Sequence, residues 1–170
     1  MYPLKRLSAA AIPRALEKAE RYRLISQPWA AESICLDVLA VDPGQQAAWK
    51  TLLLARTDQF RGERATEALD GAREALSHLS DRYETAYYEG MIAERRAMAK
   101  LEERVPGAGA IARGLLEEAM RCYETAASMR PSGNDDAVLR WNTCARLLNE
   151  SPQIVHARSG QDDDIPIMNE

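Results

Sequence analysis

One phenylalanine, two histidines, three cysteines and no long apolar run set the first limits on this chain of 170 residues. His78 and His156 have no neighbour at ligand spacing, and HExxH, paired CxxC and GxSxG motifs are all missing. The sequence therefore gives no support to zinc hydrolysis or nucleophile-elbow chemistry, and neither a catalytic residue, a metal ligand nor a cofactor is assigned. Cys35, Cys122 and Cys144 are odd in number and widely spaced, which reads as reduced thiols in a cytoplasmic protein. No apolar stretch approaches the roughly 20 residues a membrane helix needs. The N-terminus starts basic, but its apolar run breaks at Pro13, which makes a poor secretion signal. A strong charge of one sign is missing as well. The formal net charge is −4, of which −3 lies in residues 151–170, so residues 1–150 carry 22 acids and 21 bases. A body so near neutrality has no general field for nucleic acid or an anionic membrane.

Alanine is abundant instead: 28 residues, beside 28% charged and 6% aromatic, the profile of a helical protein. Small residues bury little area each, so stability has to come from close helix–helix approach repeated many times. Helical periodicity runs from about residue 8 to 149. Ala31, Ile34, Cys35, Val38 and Leu39 form one apolar face, with Pro28 in the first turn and Pro43 just beyond the end. Ala65, Ala68, Leu69, Ala72 and Leu76 repeat nearly the same geometry.

Ala31 to Ala65, Cys35 to Leu69 and Val38 to Ala72 are each 34 residues apart. The same spacing returns as Ala119, Tyr123 and Ala126, and Pro131 follows as Pro43 follows Val38, five residues on. The preceding helices carry Ala15, Ala19 and Tyr22, then Trp49, Leu52 and Leu53, then Ala86, Gly90 and Ala93. This pattern resembles the tetratricopeptide repeat, a 34-residue helix–turn–helix unit. The resemblance covers about residues 12–149 and implies an all-α fold, an α-solenoid of three helical hairpins at about 12–45, 46–79 and 83–131 with a capping helix at 135–149. Residues 1–149 then form one domain and 150–170 an acidic, flexible tail.

The third unit departs from the family pattern. Seventeen residues are inserted inside it, which predicts two elongated helices at about 83–104 and 111–130 joined by the turn Val105–Ala110. Gly90, Ala93, Ala97 and Leu101 make a stripe on which side chains must be short for helices to touch. Gly107-Ala-Gly109 with Gly114 lacks the strand and spacing of a phosphate cradle and reads as a hairpin turn. Asp135-Asp136 reads as helix capping rather than a cation site, and Trp49, Tyr123 and Trp141 read as core. Of Tyr87 and Tyr88, one is expected in the packing and the other free in a groove. The tail's Asp162–Asp164 followed by Ile165-Pro-Ile-Met168 reads as solubilising, with docking as a pseudo-ligand in its own or a neighbour's groove as the alternative.

Family members present a concave face lined by the first helix of each pair. Carried over, the candidate peptide-binding positions are Leu16, Glu20 and Arg23, then Lys50, Leu54 and Thr57, then Glu84, Tyr87, Met91 and Glu94. The two-carboxylate clamp of one branch is absent, since Leu16, Glu20, Thr51, Glu84 and Tyr88 stand at its positions. The resemblance thus implies a non-enzymatic interaction module (adaptor, assembly factor or client-specific chaperone) for an unidentified protein or peptide. Nucleic acid and membrane are not expected as partners, and self-association is left open. The competing reading is a small-molecule binder or enzyme that uses the elongated third hairpin as a wall.

Overall fold

The computed structural model describes residues 2–103, 105–152 and 154, and among them every regular element is helical. A short 3-10 turn, Ala9–Ala11, leads into α1 (Ile12–Leu24), α2 (Pro28–Leu39), α3 (Gln46–Thr57), α4 (Ala65–Ser77), α5 (Arg82–Glu103), α6 (Ala108–Ser128) and α7 (Asp136–Glu150). Pro13 and Pro28 sit in the first turns of α1 and α2, where a missing N–H is harmless. Between α2 and α3 the chain turns at Asp42, whose carboxylate accepts from the Gly44 N–H at 3.1 Å, and the Trp49 indole N–H donates to the Pro43 carbonyl at 2.8 Å. Trp49 is half-buried, and its ring stacks on the exposed His78 with centroids 3.9 Å apart.

Each helix packs on the next, and α1 also touches α3 as α3 touches α5. The third pair is long, with α5 and α6 spanning 22 and 21 residues against 12 or 13 for α1 to α4. That agrees with the insertion read from the sequence, with one correction. Gly107, at φ 82°, starts α6 three residues earlier than expected, and Gly109 and Ala110 are helical. A left-handed glycine reverses the chain at once, so a longer turn is not needed.

The interior divides into two apolar clusters. The first joins α1 to α4 around Val38, Leu52 and Leu53. The second joins α5 to α7 around Leu116 and Tyr123. Helix α5 belongs to both: Ile92 and Ala99 face the first, Ala86, Ala93 and Ala97 the second. Alanines at 19, 31, 48, 55, 72, 75, 97, 112, 119, 126 and 137 are entirely buried, so helix axes come close where these methyls meet. At Gly90 a methyl would stand 2.8 Å from Tyr123 Cε1 and 3.1 Å from the Ala119 carbonyl, so α5 and α6 meet there without room for a side chain.

At the α6–α7 junction the helix-start signal of Asn134, Asp135 and Asp136 resolves onto one of them. Asp135 occupies the N-cap position but makes no capping bond; it pairs with Arg130 at 3.0 Å. Asn134 does the capping instead. Its side-chain oxygen accepts from the Asp136 N–H at 3.0 Å and from the Tyr83 hydroxyl at 3.1 Å, which ties the start of α7 to the start of α5. Beyond α7, Ile154 is fully buried in the second cluster, so the tail begins packed. The acidic run Asp162–Asp164 and the rest of the expected flexible segment lie outside the described residues.

Candidate functional site

The positions expected to line a groove lie on α1, α3 and α5, and the structure brings their charged members together across helices. Lys50 of α3 donates to Glu84 of α5 at 2.8 Å. Arg23 of α1 reaches Asp58, at the end of α3, at 3.3 Å, and Arg95 of α5 closes on the same carboxylate. A second donor bond runs from Arg95 to the Thr57 hydroxyl at 2.9 Å. Of the charged candidates, Arg23, Lys50 and Glu84 therefore hold helices together, and Glu20 alone is exposed. Pairs this accessible contribute about 0.2–1 kcal/mol each. Their main effect is on register.

Six candidates need correction, Thr57 among them, since only 4% of its surface is exposed. Met91 is buried, with 7% of its surface exposed, and Leu16 and Leu54 are half-buried against the first cluster. None of the three presents a side chain freely to a ligand. Tyr87 and Tyr88 do not divide into one buried and one free ring. Tyr87 packs on the second cluster and Tyr88 on the first, with their rings edge to face at 5.3 Å. One helix can turn consecutive residues into two cores only because α5 stands between them. Burial, with Glu84 next, pushes the Tyr88 phenol up to about 12.

Glu94 departs furthest from expectation. It is 5% exposed and accepts from the Tyr123 hydroxyl at 2.7 Å. Arg140 of α7 sets its Nε 3.0 Å from the same carboxylate oxygen, off the line a hydrogen bond needs, so the attraction there is Coulombic and the Nε proton has no acceptor. Burial is the largest single influence and works against the Arg140 charge, but Glu94, Tyr123 and Tyr87 together outweigh it and the guanidinium is held more firmly protonated than usual. Burial and the neighbouring Glu94 likewise push the Tyr123 phenol far up. Thus α5, α6 and α7 meet in one buried polar knot. Sequence reasoning placed Tyr123 in the core correctly but gave Glu94 to the groove, because nothing in the helical period says that α7 will deliver a cation to it.

What remains accessible on this face is a hollow of about 520 Å³ that the candidate list largely missed. Pro28 and Ser26 of the first turn, Thr57 and Asp58, Arg95 and Met98 of α5, and Arg140 form its walls. It lies beside the turn between α1 and α2 and the C-terminal end of α3, Thr57 and Glu94 are the two candidate positions that reach it, and α7 completes it. The signal that could have found it is the run Glu94, Arg95, Met98, which continues the α5 stripe by one more turn.

The three thiols are not activated as nucleophiles. Burial raises the Cys35 and Cys144 thiols to about 12 and that of Cys122 to about 11, so all three stay protonated near neutral pH. Among the described residues no group of three or more His, Cys, Asp or Glu gathers as a metal site, and no helix is long and apolar enough to cross a membrane. No protein-family model, curated protein or solved structure matches this chain.

Proposed function

We propose that the chain is a tetratricopeptide-like array, α1–α2, α3–α4 and α5–α6 closed by α7, and that it works as a non-enzymatic protein interaction module. In this reading it is an adaptor, assembly factor or client-specific chaperone that takes a peptide or helix of a partner protein on the face shared by the odd-numbered helices. One observation carries it: a single hollow draws walls from the turn between α1 and α2 and from α3, α5 and α7 together. Stacking of next-but-one helices, α1 on α3 and α3 on α5, supports the array, as does burial of Ala31, Cys35, Val38, Ala119, Tyr123 and Ala126 at matching repeat positions. Since most charges of the face are spent between helices, a partner would be read by the apolar surface of Met98 and Pro28 and by donors of Arg95 and Arg140 not used in those pairs.

A photo-crosslinking side chain at Met98 should capture a defined protein adduct from the source cells, and the same group at the exposed Arg73 of α4 should not. Equal capture from both sites would refute the groove. A rise in melting temperature with a small metabolite, and no protein adduct, would favour the small-molecule reading instead.

A further inference from the structure

The chain closes its two ends differently. At the C-terminal end α7 and the buried Ile154 cover the second cluster, with Trp141, Leu147 and Leu148 laid against it. At the N-terminal end, among the described residues, only Leu7 and the short turn Ala9–Ala11 reach the outer side of α1 and α2, and no further helix covers it. That side is a trough of about 590 Å³ with Leu7, Tyr22, Trp29 and Ile34 along it, and Trp29 leaves 66% of its surface to solvent. Two cations, Arg14 and Lys18, stand on the α1 bank, and an anion, Asp37, on the α2 bank. None of the three forms an ion pair among the described residues.

The order of these residues along the trough decides what fits it. Helices α1 and α2 run antiparallel from a three-residue turn, so Tyr22 lies level with Trp29 near the turn, Lys18 with Ile34 midway, and Arg14 with Asp37 at the far end. A two-fold axis lying along the trough would set α1 of one copy over α2 of the other at equal level. Arg14 then meets Asp37 of the partner subunit, and Tyr22 meets Trp29 of the partner subunit. Cation faces anion and ring faces ring, twice over, as an isologous contact requires. The chain's small net charge of −4 opposes this only weakly.

We infer that the outer face of the first hairpin is a homodimer surface, and that its occupant is the same face of a second copy. This holds or fails independently of the concave site. The test is the mass of the full chain by light scattering and sedimentation. At concentrations on the order of 100 μM the protein should weigh twice its 18.9 kDa. Arg14→Asp alone, or Asp37→Arg alone, should weaken the dimer about tenfold or more, and the two together should restore it. Trp29→Asp should leave a monomer with an unchanged helical circular dichroism spectrum; if that variant does not fold, the charge reversals still decide. A wild-type monomer throughout, a dimer indifferent to all of these changes, or a double reversal no better than the single ones would each overturn the assignment.

Discussion

At the scale of single residues, Gly90 and the Glu94 knot set the tightest tolerances. A methyl at Gly90 would press on the Tyr123 ring and on the Ala119 carbonyl, and the backbone atom cannot swing aside. Gly90→Ala should therefore cost about 1–3 kcal/mol in urea unfolding, and Gly90→Trp more, despite the better helix propensity of both residues. Tyr123→Phe removes the 2.7 Å bond to the buried Glu94 and should cost about 1–3 kcal/mol. The phenols add a pH dependence. Both Tyr88 and Tyr123 have folded-state values above the ordinary 10.0 of an unfolded chain. Their contribution is thus complete below pH 10.0, where both states are protonated, and is lost as pH rises through the folded values, for Tyr88 toward about 12. Melting temperature should fall above pH 10.0 in the wild type and fall less steeply in Tyr123→Phe. An equal slope in the two proteins would show that Tyr123 is not protected in the folded state.

At the scale of elements, α7 is the informative one. It is fixed at its start by Asn134, which holds the Asp136 N–H and the Tyr83 hydroxyl, along its length by Arg140 on Glu94, and past its end by Ile154. Asn134→Ala removes both of the first bonds and should destabilise by about 0.5–2 kcal/mol. Hydrogen exchange should rise first in the first turn of α7. Ile154→Ala should cost about 2–5 kcal/mol, although it lies beyond the last helix, because the residue is fully buried. A negligible effect of Ile154→Ala would mean that the segment after α7 does not pack in solution. The α3–α4 pair shows a parallel device. Arg56 donates to the Gly71 carbonyl at 2.7 Å and to Glu32 at 3.2 Å, and a methyl at Gly71 would stand 2.6 Å from its Cζ. Small residues here admit a bridging side chain as well as a neighbouring helix.

For the whole molecule, the two clusters share α5 and have no other common wall of comparable size. Helices α1 to α4 place Ile92 and Tyr88 in their core, while α6 and α7 lean on Ala93 and Ala97 from the other side. Loss of α5 order therefore opens both. In proteins carrying a single tryptophan, Trp49 should report the first cluster and Trp141 the second, and their urea midpoints should coincide. Separate midpoints would mean that the halves unfold independently. The proposed site lies on the odd-numbered side of this division. There the turn between α1 and α2 joins α3, α5 and α7 around one hollow, and the Arg23–Asp58 and Arg95–Asp58 pairs tie the helices around it together.

The helices themselves were legible from local chemistry. Alanine content, the 34-residue offsets and the prolines at helix ends are properties of short stretches of chain, and so are the existence, order and unequal lengths of the seven helices. Periodicity also distinguished buried from outward faces at Ala31, Cys35, Val38 and Tyr123, because one helix face needs only its own residues to be recognised. The fate of Lys50, Glu84, Glu94 and the Tyr87–Tyr88 pair depended on what another helix brings opposite them. Coulombic and hydrogen-bond partners 29 to 46 residues away, such as Tyr123 and Arg140 on Glu94, leave no trace in a period of 3.6. Scarcity of histidine, cysteine pairs and long apolar runs narrowed the chemistry at the start. Where the remaining charges and rings point was decided only when α5 came to stand between two cores.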